Sequence, residues 1–185
     1  MFLSDTDIKK AVKNGDVILR GFDEKRLQPA SYDILLGDKF MLTDTHSIDA
    51  INPVEKKFAK TREIILKKGD AFTLHPGVSI LGVSKDYFGS HNHLLQLHGK
   101  SSLARIGLMV HNTAGLINPG WFGCITFELC NLNSVPIVLT PGMAIGQLTF
   151  TLLSSEPRSG YKQVSSYVNR KWKTDNSKKR TKKSK

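Results

Sequence analysis

Apolar positions in this chain fall mostly in short alternating runs separated by glycine- and proline-bearing turns, and a helical start signal is confined to the N-terminus. Ser4-Asp5-Thr6-Asp7 reads as an N-cap followed by an acidic first turn, opening a helix through about Lys13 that Asn14-Gly15 ends. Residues 17–19 form a short apolar run, and 34–42 carry the content of a strand interrupted by Gly37-Asp38. Residues 43–60 are irregular and polar, a loop or ragged hairpin. Runs at 63–66, 71–74, 78–83, 135–139 and 145–153 are parted by Lys67-Lys68-Gly69-Asp70, His75-Pro76-Gly77 and Pro141-Gly142. Along 124–131, Ile125, Phe127 and Leu129 share one face while Thr126, Glu128 and Cys130 share the other. Short strands and turns at such close spacing predict an all-β sandwich or jelly roll.

Composition narrows the class without changing that picture. The 185 residues are 39% hydrophobic and 23% charged, ordinary values for one globular domain. No apolar run approaches the ~18 residues of a membrane span. Cys124 and Cys130 are the only cysteines, placed ~20 Å apart along one expected strand, so a reduced, cytoplasmic setting is expected. The net charge of +11 is uneven: nine Lys/Arg against one Asp put +8 on residues 170–185, which leaves +3 for residues 1–169. The body is close to neutral and the basicity is a tail, expected to be disordered, through which alone nucleic acid would be bound. If the tail is a targeting signal, a nuclear or virus-associated location follows instead.

Candidate chemistry gathers in residues 97–131. Gly99-Lys100-Ser101-Ser102 places a permissive glycine, a cation and small hydroxyls at the start of a short helix, with Arg105 adding a planar cation. The spacing is not that of a P-loop. Glu128 is a lone carboxylate on a strand otherwise built for burial, and such a group is either paired or functional. His91, His93 and His98 lie near one another in sequence, but no fourth ligand is spaced to complete a metal site, so a surface loop carrying histidines is expected. The H-x-E and P-C-x-x-C motifs of zinc-dependent base deaminases are absent.

The segments GKSSLARIGLMVH, TAGLINPGW and GCITFELCN, with SYDILLGDKF and PGMAIGQLTF on either side, resemble the dCTP deaminase branch of the trimeric dUTPase-like superfamily, over about Met1 to Tyr167. The resemblance implies a mainly β, dUTPase-like jelly-roll domain over residues 1–169, with a short N-terminal helix and a short helix near 102–106. It implies hydrolysis of dCTP to dUTP and ammonia with no catalytic metal, Mg²⁺ arriving on the substrate triphosphate. Glu128 takes the role of proton shuttle, while Ser101 and Arg105 position the water and the carboxylate. Lys100, Ser101, Ser102, Leu103, Ala104 and Arg105 match the phosphate-contacting segment. The backbone of Thr126 and Phe127 matches the segment that reads the base edge. Tyr161 matches a tyrosine closing over the nucleotide, and Arg170 stands near a lid position where the family carries a cation. A homotrimer with interfacial sites and inhibition by dTTP are further implications.

Asn118, in INPGW, stands where the family usually has Asp. An asparagine oxygen still accepts from a 3′-hydroxyl, but it cannot take a proton from a water attacking phosphorus. Hydrolysis of dUTP, alone or in a bifunctional enzyme, is the alternative that this residue weakens. A non-catalytic nucleotide-sensing or nucleic-acid-associated protein is the alternative of another class, and the Ser101, Arg105, Glu128 set speaks against it.

Overall fold

The computed structural model describes residues 1–158 and 161. The expected tail at 170–185, Arg170 included, lies outside the described residues. Helix α1 (Asp5–Asn14) follows the sequence closely. Ser4 Oγ accepts from the Asp7 N–H at 3.4 Å, and Gly15 closes the helix at φ 80° with its N–H on the Val12 carbonyl. Ile8 and Ala11, one turn apart, are buried.

Among residues 1–158 the remaining elements are strands, one 3-10 turn and one very short helix. In order they are β1 (Val17–Leu19), the 3-10 turn (Glu24–Arg26), β2 (Leu27–Gln28), β3 (Ser31–Thr43), β4 (Thr61–Ile65), β5 (Phe72–Leu74) and β6 (Ser79–Ser84). There follow β7 (Phe88–Ser90), β8 (His93–Gly99), α2 (Ser101–Ala104), β9 (Leu108–Met109), β10 (Leu116–Ile117), β11 (Phe122–Gly123), β12 (Thr126–Asn131), β13 (Ile137–Leu139) and β14 (Ala144–Leu152). The main sheet runs β10-β8-β14-β3-β6-β12-β9, with β2 and β4 also on β3, and all its pairings are antiparallel. Smaller sheets, β1-β7-β11 and β13-β5, complete a mostly β, jelly-roll-like body. Tyr32, Phe40, Phe88, Phe127 and Phe150 are the largest fully buried side chains of the core.

The long strand β3 links the halves. Tyr32 to Leu35 pair with β14, while Phe40 and Met41 pair with β6, and the register shifts between Leu36 and Phe40. Gly37-Asp38 therefore does not end the strand. Gly37 is needed because a Cβ there would lie 2.7 Å from the Val83 carbonyl oxygen. Behind this strand, Arg26 Nη1 donates to both oxygens of Asp86 at 2.9 Å, and Asp86 accepts from the Leu35 N–H at 2.7 Å. Burial of the Tyr32 phenol pushes its pKa up, partly countered by the Asp23 N–H that donates to it and by the Arg26 guanidinium over its ring.

Two expectations need correction. The short helix runs over Ser101–Ala104 rather than 102–106, because Arg105 already acts as its C-cap. Of the histidine stretch only His91 lies in an exposed bend, as expected of a surface loop. His93 and His98 belong to β8, where His93 is buried beside Ser90 and His98 Nε2 lies 3.1 Å from Thr149 Oγ1. Polar His93 on the inner face and apolar Leu94 on the outer one broke the alternation that would have revealed a strand. Among the described residues, no helix is long and apolar enough to cross a membrane.

Candidate active site

Three strands converge on the turn that begins at Gly99. Strand β8 ends there, β14 lies beside it with Gly146 opposite Gly99, and β3 lies beyond β14 with Asp33 opposite Gln147. Gly146 permits this closeness, since a Cβ would stand 2.9 Å from the His98 carbonyl oxygen. Gln147 bridges the strands: its Nε2 donates to the Gly99 carbonyl at 3.1 Å, and its Oε1 accepts from Ser31 Oγ at 2.7 Å. Lys100 Nζ donates to Asp33 Oδ2 at 2.5 Å. Asp33 is 8% exposed as a residue, and its Oδ1 is buried without a hydrogen-bond partner.

Beside this frame lies an open cavity of about 410 Å³, lined by Gln28, Pro29, Ala30, Ser31, Lys100, Ser101, Ser102 and Gln147. Ser101 and Ser102 are exposed and do not cap α2 with their side chains. Hydroxyls and an amide around a lysine suit an anionic, hydrogen-bonding ligand better than an apolar one. Leu103 packs partly buried on the core, while Ala104 and Arg105 stay exposed. A larger groove of about 560 Å³ lies between α1 and Phe22, but Glu24, its sole carboxylate, is held by Lys9 at 2.9 Å. Chemistry is not gathered there.

Glu128 sits on β12, opposite Leu81 of β6, between fully buried Phe127 and Leu129. Its own N–H donates to the Val110 carbonyl at 3.1 Å, and its Oε2 accepts from the Asn112 N–H at 2.8 Å. The segment that follows β9 is thus stitched to β12 through the backbone and the side chain of one residue. Thr126 and Phe127 precede Glu128 on the same strand. Asn118 is exposed just after β10, and its carbonyl accepts from the Trp121 N–H at 3.2 Å to close a tight turn. Tyr161 is half-buried over that turn, its backbone nitrogen 3.6 Å from where a Cβ on Gly120 would stand.

Among the described residues, no hydrogen bond or ion pair joins Ser101, Arg105 and Glu128 within one chain. Lys100, Ser101 and Ser102 share the cavity, whereas Glu128, Thr126 and Phe127 share a strand elsewhere in the sheet. No three His, Cys, Asp or Glu side chains among the described residues converge to hold a metal ion. Burial lowers the pKa of His93, and burial with the nearby His111 lowers that of His98. The sequence did not single out Ser31, Asp33, Gln147 or the Asn112 N–H. The first three lie in the SYDILLGDKF and PGMAIGQLTF segments, so the signal was present as motif but not as contact.

A family model described as dCTP deaminase-like matches residues 2–153. The "dCTP deaminase, dUMP-forming" of Tropheryma whipplei (strain Twist) is 46% identical over 162 residues, covering 87% of this chain and 83% of that relative. The protein of the same name from Beutenbergia cavernae is 43% identical over 162 residues, covering 87% and 84%. In fold, the crystal structure of 2′-deoxycytidine 5′-triphosphate deaminase from Agrobacterium tumefaciens gives a TM-score of 0.63 at 20% identity. That match covers 82% of this chain and 48% of the other, so the chain spans about half the length of that solved protein.

Proposed function

This chain belongs to the dCTP deaminase family, and on that premise we propose that it converts dCTP to dUMP through deamination and loss of diphosphate. The balance is dCTP + 2 H₂O → dUMP + diphosphate + NH₃. The first water replaces the cytosine amino group at C4, and the second cleaves between the α- and β-phosphates. The dUTP expected from sequence becomes an intermediate in place of the product, a revision supported by the dUMP-forming relatives.

The observation that carries the proposal is the setting of Glu128: a half-buried carboxylate on a strand, with one oxygen held by the Asn112 N–H at 2.8 Å. With Oε2 fixed, Oε1 is the oxygen left to take a proton from water as its oxygen bonds to C4. The same carboxyl then delivers protons to the ring nitrogen and to the departing amino group, so that ammonia leaves as the carbonyl forms. Ser101 and Arg105 orient the water and the carboxylate, and backbone groups of Thr126 and Phe127 meet the base edge. Because Ser101 and Arg105 do not contact Glu128 within one chain, a homotrimer with sites shared between neighbouring subunits is part of the proposal.

The triphosphate is taken by Lys100, Ser101 and Ser102 at the polar cavity, and Arg105 adds a bidentate donor. Mg²⁺ enters as part of that substrate, held by phosphate oxygens, as hard cations usually are on nucleotides. Tyr161, already over the turn after Asn118, closes on the sugar and base. For the second water, Asn118 orients through its carbonyl oxygen, while the proton is lost to solvent or phosphate.

Incubation with dCTP and excess Mg²⁺ tests the proposal directly. Ammonia, diphosphate and dUMP are expected in equal amounts. Stoichiometric dUTP would remove the second step. No ammonia from dCTP would remove the enzyme and leave a nucleotide-sensing protein. A sedimentation mass of one chain would remove the shared site.

A further inference from the structure

Asp33 is an unexpected neighbour for a polyphosphate site. It is a buried residue whose carboxylate is in direct contact with the lysine that lines the polar cavity. A carboxylate there repels phosphate, so its presence calls for a compensating role. Neither of its oxygens serves the fold in an ordinary way: Oδ2 is taken up by Lys100 Nζ, and Oδ1 has no partner. By contrast, the other buried carboxylate of this strand region, Asp86, has both oxygens on Arg26 and one on the Leu35 N–H. Asp86 is a structural anchor by its contacts. Asp33 is not.

We infer that Asp33 is a positioning residue for the nucleotide triphosphate, acting through Lys100. Lysine is a flexible point charge, and alone at the edge of a cavity it samples many rotamers. Anchoring Nζ on Asp33 fixes it beside Ser101 and Ser102, while Gln147 and Ser31 fix the preceding Gly99 carbonyl. In turn, the ammonium stands between the buried carboxylate and an incoming phosphate, so the pair presents a placed donor with little net charge. Triphosphate register, and with it the placing of cytosine against Glu128, then depends on the pair more than on the lysine charge alone.

This pairing makes the two residues non-additive, in a direction a merely structural role would not give. Lys100→Met strips the shield from Asp33, leaving a buried unpaired carboxylate beside the phosphates. It is expected to raise KM for dCTP by about 100-fold, the scale of a lost charged hydrogen bond plus a repulsion, and to lower Tm. Adding Asp33→Asn removes the stranded charge, so the double variant should recover to a KM about 10-fold above the parent and melt a few degrees (~3 °C) higher than Lys100→Met. Asp33→Asn alone keeps the shape but frees the lysine. It should cut kcat about 10-fold with KM little changed, the signature of lost orientation and not of lost affinity.

The experiment is this four-protein cycle on the full chain, read by steady-state kinetics with Mg·dCTP and by thermal melts without nucleotide. The kinetic arm rests on the deaminase reading, and a parent protein that does not turn over dCTP would fail that reading. In that event calorimetric binding of inorganic tripolyphosphate to the same four proteins decides the inference: a loss in Lys100→Met that is partly recovered in the double variant supports it, and affinities that do not couple overturn it. Recovery of Tm in the double variant supports the pairing, as does a folded double variant where Lys100→Met alone does not fold. A double variant no more stable than Lys100→Met, or an equal kcat loss from Asp33→Asn in both backgrounds, overturns it.

Discussion

The backbone N–H of Asn112 donates to Oε2 of Glu128 at 2.8 Å. A carboxylate acceptor on a main-chain donor is a strong, short contact, and here it fixes one carboxylate oxygen and leaves the other open. The side chain of Asn112 is exposed and takes no part in this bond. The orientation is therefore written in the backbone of the segment after β9.

Glu128→Gln keeps the length and planarity of the side chain but removes its basicity. Turnover of dCTP is expected to fall by at least ~10²–10⁴, the span typical of a lost general acid–base. Binding should persist, because the proposed phosphate-binding residues Lys100, Ser101 and Ser102 lie at the polar cavity, apart from Glu128. Ammonia release and calorimetric binding measured on the same preparation separate the two quantities, and turnover within a few-fold of the parent would refute the shuttle.

Asn118→Asp introduces a base beside the turn closed by the Trp121 N–H. If the second water loses its proton slowly in the parent, the aspartate should speed diphosphate release from dUTP by about 10-fold or more. Deamination should change little, since Glu128 lies on another strand. Ion-exchange separation of dUTP from dUMP over time reads both steps.

Gly89→Ala tests the packing behind the turn that carries Asn118. Gly89 sits in β7 between β1 and β11, paired with Ile18 and Phe122. A Cβ there would collide with the Trp121 carbonyl oxygen and the Phe122 side chain. Backbone cannot yield as a flexible side chain does, so a loss of about 3 kcal/mol or more is expected. Chemical denaturation of the variant measures it.

Acid should weaken the fold through its histidines. The folded pKa of His93 lies below its ordinary 6.5 because burial disfavours the charged ring, only partly countered by Asp16. The unfolded chain then binds the proton first, so this contribution is fully present above about pH 6.5 and is lost as pH falls toward the folded value. His98 acts in the same direction, through burial and then its neighbour His111. Melts at pH 7.5 and 5.5 should show a lower Tm in acid, with a smaller drop for His93→Gln. Equal drops for the variant and the parent would show that His93 does not supply the linkage.

Local chemistry determined much of this protein in advance. Ser4 and Gly15 bound α1 because capping needs only neighbouring residues. Phe127 and Leu129 face the core, with Glu128 turned away from it, because strand alternation is a property of consecutive positions. The family resemblance marked Lys100, Ser101, Ser102 and Glu128 as candidates. The tertiary structure alone decided what depends on distant residues meeting. Residues 33 and 100 become an ion pair, and Gln147 reaches Gly99, because β14 lies between β3 and β8. His93 and His98 look like loop residues until β14 pairs with β8 and Ser90 and Thr149 take up their ring nitrogens. Gly37 looks like a strand end until β6 brings the Val83 carbonyl against it. Sequence periodicity records which way a side chain faces relative to its neighbours along the chain. Which strand lies beside it is set by the sheet order, and that order placed an aspartate behind the lysine of the polar cavity.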